Sequence, residues 1–438
     1  MNQERYQEIL SILRKEVKPA LGCTGPIGVC YAAAEAYDAV RGGKIEKIVA
    51  KLDWGFGTKI DDVAFPGTQI LGAEMAIAMG AVCGNPAYGL EVLRDATPEG
   101  ELQAREVAHL VEILPEWDRD RLGFFADITV VTDRGIGHAV VLERSDGLVL
   151  KERDGVVLEQ HEPDASAQQA VSPILKYGIA DLYQFADEAD IGDLSFIRTA
   201  TEYNMVLANE TISRNLGAGI GTALYHNANS NRITRAKAYA AAGCEARMSG
   251  VNHPAMSCGN KGNVGIAASL PIVSVARDLN IPEERMLRAV AFSYLTAVSV
   301  IHRVGKSPAV CSCEVAACLG VTAGATYLQG GTKEQVNNAI QCAIPSMFGV
   351  VCDGARLACA LRISSGTGVA LEAAELALAG VRIANNQGVL AWNADESINL
   401  IGHTALFGMV DSDRELGKQL FAKRKIFPLQ SFDERQKQ

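Results

Sequence analysis

The sequence predicts an α+β fold in two parts: a mixed α/β domain over residues 1–178 and a mostly helical domain over 179–438. Three observations predict it. Strand-like runs at 44–54, 127–133, 139–145 and 147–153 are confined to the first 160 residues. From residue 181 onward helical patterns dominate almost without a strand. A polar stretch at 152–178, with Asp-Gly and Glu-Gln-His-Glu-Pro-Asp-Ala-Ser, separates the two.

In order along the chain, an amphipathic helix is predicted over 3–17, with Ile9, Leu10, Ile12, Leu13 and Val17 as its apolar stripe. The turn at 19–26 leads into a second, Ala-rich helix, and Pro26 suits its first position. Helices are expected at 69–83 and 101–115, between the strands. Ser145-Asp-Gly147 reads as a hairpin turn joining the last two strands. Beyond the boundary, helices are expected at 181–190, 194–222, 231–247, 265–278, 283–303, 333–343, 369–380 and 396–424. Ala and the 42 Gly residues are abundant and aromatics are scarce at 6%, so these helices should be buried and closely packed.

Composition narrows the function classes. The chain has 438 residues, 48% of them hydrophobic and 21% charged, which excludes a disordered or linker protein. Net charge is −10 with no long Lys/Arg run, so a nucleic-acid or anionic-membrane partner has little electrostatic support. The longest apolar run, 289–301, falls short of the roughly 20 residues that span a bilayer. The N-terminus is charged and unlike a secretory signal, so a cytoplasmic protein is expected. Its 11 cysteines should then be mostly reduced thiols, and no paired CxxC motif indicates a zinc ribbon.

Several segments carry candidate chemistry. The loop 256–265, Met-Ser-Cys-Gly-Asn-Lys-Gly-Asn-Val-Gly, runs into an apolar helix and can present N–H groups to a carboxylate or phosphate. An ordinary interhelical turn explains it locally as well. In 307–315, Ser307 is the expected N-cap and Pro308 the first helical residue, putting Cys311 in an early turn where the dipole favours a thiolate. On such a helix Cys311 and Cys313 stand about 200° apart, so only Cys311 is expected as a ligand. Asp353-Gly354 suggests that Cys352 lies on a loop with a helix starting afterwards, and Cys359 is packing or a ligand on a bent segment. Cys23 sits at another loop-to-helix junction. Cys30, Cys83, Cys318 and Cys342 read as core. His138, His253 and His302 are each expected to be structural, and Asn204, Asn209, Glu210 and Arg214 line either a pocket or a solvated face.

These segments together resemble one family. Pro19–Pro26, 65–93, 262–273, 307–317, 352–366 and 396–409 are similar to the L-cysteine desulfidases and their uncharacterised relatives, akin to the iron–sulfur L-serine dehydratase alpha chain. The resemblance runs from about residue 15 to 415. It implies a lyase with an oxygen-sensitive [4Fe–4S] cluster held by three cysteines, one iron being open to substrate. Cys311-Ser-Cys-Glu-Val315 looks like one ligand segment and Cys352-Asp353 like another. The third maps onto Cys23, with Cys359 as the alternative. Thr24, Ser257, Gly259, Asn260, Gly262 and Asn263 are the implied substrate-binding positions, and Cys23 and Lys261 the candidate catalytic groups. Here Val264 replaces the usual Gln of the family's loop and Lys261 precedes Gly262, which bears on the substrate. The implied reaction is β-elimination from L-cysteine, or from L-serine, to pyruvate and ammonia, by a homodimer acting on a small amino acid. Two rivals are a pyridoxal-phosphate eliminase using Lys261 or Lys306, and a non-catalytic amino-acid binder.

Overall fold

In the computed structural model, residues 1–20, 24–60, 72–118, 124–163, 172–305 and 308–424 are described. The chain opens with α1 (Gln3–Glu16), whose cap Asn2 accepts the Arg5 N–H at 2.9 Å. Ile9, Leu10, Ile12 and Leu13 form its buried stripe, as the spacing predicts. Then come β1 (Val17–Ala20), α2 (Thr24–Val40), β2 (Ile45–Asp53), the single turn α3 (Trp54–Gly57), α4 (Ala73–Cys83), α5 (Pro98–Ala108) and β3 (Val111–Glu116). Four strands follow: β4 (Phe124–Thr132), β5 (Gly135–Glu143), β6 (Leu148–Arg153) and β7 (Val156–Gln160).

These strands, apart from β1, make a six-stranded sheet in the order β3-β2-β4-β5-β6-β7. Only β2 and β3 run parallel, joined by the α3–α5 crossover; the rest are antiparallel. The hairpin at Ser145–Gly147 forms as expected, with Gly147 N–H donating to the Arg144 carbonyl at 3.0 Å. Small residues let α2 sit hard against its neighbours. A Cβ at Gly137 would lie 1.9 Å from the Ala36 carbonyl oxygen, and one at Gly80 would lie 2.2 Å from that of Cys30.

Two expectations fail here. The helix expected at 101–115 stops at Ala108, and 111–116 is an edge strand with only Ile113 fully buried. Pro115 is tolerated there because an edge position asks for no ladder N–H. The strand β7 was not foreseen: all five of its residues are exposed, so no alternation marks it.

The second half contains α6 (Ile179–Glu188), α7 (Ser195–Arg214), α8 (Ile220–Asn227), α9 (Arg232–Met248), β8 (Ala255–Cys258), α10 (Gly262–Asp278) and α11 (Glu283–Val304). It continues with α12 (Ser312–Leu328), α13 (Lys333–Met347), α14 (Cys359–Leu378), α15 (Ala394–His403) and α16 (Val410–Arg424). The helix expected over 194–222 is broken after Arg214, where Asn215, Gly217 and Gly219 all take positive φ. That over 396–424 is broken by a π-type turn at Thr404–Gly408. The half is mostly helical, as expected, with a single short strand among the described residues: β8 pairs antiparallel with β1, Val17 opposite Cys258 and Ala20 opposite Ala255.

Two separate apolar cores result. One lies between the sheet, α2 and α4, and includes Val29, Ile48, Ile77 and Ile128. The other fills the helical half and also takes in Ile9, Leu10, Leu13 and Val17 from the start of the chain. Among the described residues no helix is long and apolar enough to cross a membrane.

Candidate functional site

The two cysteine segments of the helical half meet through a β-bridge. Val310 and Val351 pair antiparallel, the Cys311 N–H donates to the Val350 carbonyl at 2.8 Å, and the Cys352 N–H donates to that of Ala309 at 2.7 Å. These bonds keep 309–311 extended, so α12 starts at Ser312 with Cys311 as its N-cap (φ −70°, ψ 105°), and not at Pro308. Ser307, the expected cap, lies outside the described residues, as does Lys306. The opposed arrangement expected for Cys311 and Cys313 is corrected by the same fact. An N-cap side chain turns back over the first turn, and the Cys311 and Cys313 thiols are near enough to act on each other.

Cys352 lies on the loop before α14, as its Asp-Gly neighbours suggested. Asp353 ties that loop to α14 through Arg362, Nη1 to Oδ1 2.7 Å. Cys359 opens α14, and its thiol donates to the Gly354 carbonyl at 3.5 Å. The thiols of Cys311, Cys352 and Cys359 are within electrostatic reach of one another, and Cys244, on α9, faces Cys359 and Cys311. Cys244 and Cys313 are the thiols that sequence reasoning missed. Cys244 sits in an Ala-rich helix with no loop signal, and the helical spacing of Cys311 and Cys313 points away from Cys313.

This is a hard place to keep negative charge without a cationic partner. Burial pushes the Cys359 thiol up to about 12, the neighbouring Cys311 adding to it. Cys311 is raised by the neighbouring Cys313 and by burial, and Cys244 mainly by burial. Glu314, in the first turn of α12, is 4% exposed, and burial lifts its carboxyl to about 7 against the pull of Arg362. Its Oε2 has no hydrogen-bond partner among the described residues. Favouring charge are Arg362, near both Cys311 and Cys359, and the N-terminal ends of α12 and α14.

The glycine loop is held from below by β1. The Ser257 hydroxyl donates to the Lys18 carbonyl at 2.7 Å, and the Gly259 N–H to that of Glu16 at 3.0 Å. Asn260, at φ 59°, is exposed. Lys261 occupies the N-cap position of α10 and is half-buried. Gly265 lies flat on β8, where a Cβ would come 1.9 Å from the Met256 carbonyl oxygen. Gly262 and Asn263 instead meet Arg247. Its guanidinium lies where a Gly262 side chain would be (Nε 2.3 Å from that Cβ), and its Nη1 donates to Asn263 Oδ1 at 3.1 Å. Cys23 and the side chain of Thr24 lie outside the described residues.

One helix links these two motifs. Cys244 and Arg247 are three apart on α9, about 4.5 Å along its axis and on the same side. The thiol reaches the cysteines while the guanidinium reaches the glycine loop. Arg247 too escaped sequence reasoning, although a charged residue inside Ala-Ala-Ala-Gly-Cys-Glu-Ala-Arg-Met was the available signal. Its neighbour Glu245 has a structural task, accepting the N–H groups of Ala218, Ile220 and Gly221 at 2.7–3.0 Å where α8 begins. The polar set on α7 divides likewise: Asn204 is buried, bonding the Met256 N–H at 2.9 Å, while Glu210 and Arg214 pair with each other at 3.0 Å.

The three histidines singled out in the sequence have partners other than thiols. His302 stands 3.8 Å from Glu16, His253 contacts the Pro254 carbonyl, and His138 belongs to the sheet. Two clefts, of about 420 and 360 Å³, open near Trp117 and near Tyr31, and neither reaches a cysteine. Among the described residues no three His, Cys, Asp or Glu side chains converge tightly enough to hold a single metal ion.

Comparison with known proteins agrees with this arrangement of motifs. Residues 87–416 match the family model described as serine dehydratase alpha chain. A UPF0597 protein of Desulfatibacillum aliphaticivorans is 34% identical over 433 residues, covering 95% of this chain and 98% of that one. A UPF0597 protein of Clostridium tetani is 33% identical, covering 94% and 97%. One from Photobacterium profundum is also 33% identical, covering 95% and 98%. With most of its length under that model, the chain belongs to the serine dehydratase alpha chain family.

Proposed function

We propose that this chain is a [4Fe–4S]-dependent lyase that eliminates sulfide from L-cysteine to give pyruvate and ammonia. The observation that carries the reading is the gathering of Cys311, Cys352 and Cys359 at two helix starts, one turn of α9 away from the Arg247–Asn263 contact. The donor set suits such a cluster. Its thiols are soft, buried at Cys311 and Cys359 and half-buried at Cys352, and mutually repelling as thiolates, so they favour a cationic group that takes several of them at once. Ligands of a cluster each meet a different iron and need not converge as ligands of one ion do. Cys311 and Cys352 are the residues to hold it, with Cys359, beside the other two, as the third; Cys23, the other candidate for that place, lies outside the described residues. When bound, the cluster supplies an open iron that acts as a Lewis acid toward the substrate's β-substituent.

The chain's own residues do the rest. Arg247, the Asn263 amide and the first-turn N–H groups of α10 bind the α-carboxylate. A base takes the α-proton, with Lys261 Nζ and the Cys23 thiolate as candidates. The Cα–H electron pair becomes the Cα=Cβ bond and the Cβ–S pair leaves with sulfur. The 2-aminoacrylate that remains takes up water to give pyruvate and ammonia. A second reading, elimination of water from L-serine at the same site, is favoured by the name of the family. The test is iron and acid-labile sulfide per chain after anaerobic purification, with pyruvate release from L-cysteine and L-serine assayed side by side. About four of each per chain, with faster release from L-cysteine, is the expected result. No iron even after reconstitution overturns the proposal.

A further inference from the structure

The thiols are reached from the opposite end of the chain by a second, buried contact. Lys59, just past α3, has its ammonium 2.5 Å from Asp413 Oδ1 on α16, and the two side chains are 8% and 1% exposed. The main chain of the same lysine touches the cysteine loop. Its carbonyl accepts the Ala355 N–H at 3.3 Å, and Gly354, at φ +107°, comes so close that a Cβ there would lie 2.3 Å from the Lys59 oxygen. The Gly354 carbonyl in turn accepts the Cys359 thiol at 3.5 Å. So an unbroken line of contacts runs from Asp413 through Lys59 to the turn between Cys352 and Cys359.

The anchor at the far end is itself rigid. Arg414 lies 5.6 Å over the Trp54 ring, Trp54 stacks on Trp117, and Trp117 meets Phe421 edge-on at 6.2 Å. The Thr58 hydroxyl donates to the Trp54 carbonyl at 2.8 Å, which fixes the backbone entering Lys59. A charge pair this deep is a poor way to gain stability, since desolvation offsets most of the attraction. Its geometry is exact about position, because an apolar pair can slide and a 2.5 Å ion pair cannot.

We infer that Lys59 and Asp413 form a positioning pair that sets the Cys352–Cys359 turn, so that the C-terminal helix and the sheet half together hold two of the site's thiols in place. This rests on the reading of Cys352 and Cys359 as working thiols. The pair touches no substrate and takes no part in the chemistry. It acts through the Lys59 carbonyl on Gly354 and Ala355, and holds the turn against opening.

The test compares the full-length chain with the double substitution Lys59→Met/Asp413→Leu, which replaces the pair by apolar groups and preserves the fold, and with Lys59→Arg. The readout is the rate of iodoacetamide alkylation at each cysteine, followed by peptide mass mapping. In the double variant Cys352 should react about ten-fold faster through easier local opening, while Cys342, half-buried on α13, keeps its rate. Lys59→Arg should restore the slow rate at Cys352. An unchanged Cys352 rate overturns the inference. So does a parallel rise at Cys342, which would mark general loosening. Alkylation needs no iron, so a wild-type chain without a cluster would sink the proposed chemistry and leave this result standing.

Discussion

The sheet half and the helical half both bury ionisable groups, and they treat them in opposite ways. In the sheet half two clusters are matched in charge. Lys151 lies 2.8 Å from Glu35 and 2.6 Å from Asp38, and His138 bridges Glu152 at 2.7 Å and Asp127 at 3.1 Å. In the helical half like groups are pressed together: thiols face thiols, and Glu314 keeps an oxygen without a partner among the described residues. Matched burial is what a fold needs to be specific. Burial of mismatched groups costs stability and persists only where something else is to be bound.

That contrast can be broken experimentally, beginning with the largest effect. Cys311→Ser or Cys352→Ser should abolish pyruvate release and strip the iron, with little change in melting temperature. A variant that keeps iron and turnover would put the site elsewhere. Lys151→Met should do the reverse: removing one partner of a buried pair costs about 3–5 kcal/mol, read as a fall in the urea midpoint, while iron per folded chain stays constant. Arg247→Met should raise KM for the amino acid about 10- to 100-fold, the loss expected for one charged hydrogen-bonding group. An equal fall in kcat would assign it to chemistry rather than anchoring.

The smallest effect is a pH dependence in the sheet. Hydrogen bonding to Asp127, with Glu152 helping against burial, raises the His138 pKa above its ordinary 6.5. Its contribution to stability is therefore complete below about pH 6.5 and fades as pH rises through the higher folded value. Urea midpoints should fall between mildly acidic and alkaline solution. His138→Phe should flatten that slope, and an unchanged slope would assign it to other groups.

How much of this was legible beforehand follows from the physics of each part. Helix periodicity and the Asp-Gly hairpin signal are local, so α1, the β5–β6 hairpin and the loop position of Cys352 could be read directly. The cysteine pairing could not. It depends on a β-bridge between Val310 and Val351, 41 residues apart, which converts Cys311 from a helical residue into a cap. Arg247 was hidden for a related reason: its role comes from the crossing of α9 over the start of α10, and no spacing within α9 announces it. β1 and β8 are four residues each, so neither is long enough to show an alternation.

That small ribbon alters how the architecture is divided. Because residues 1–20 pack with the helices, the sheet half is an insertion: the chain begins in one body, leaves it, and returns to it after residue 172. Trimming the chain from its front to isolate the helical body would carry away Ile9, Leu10 and Leu13 from that body's own interior. Excising the intervening stretch and splicing β1 to the returning chain would leave that interior whole, but it would take Lys59 away from Asp413 and from the cysteine loop.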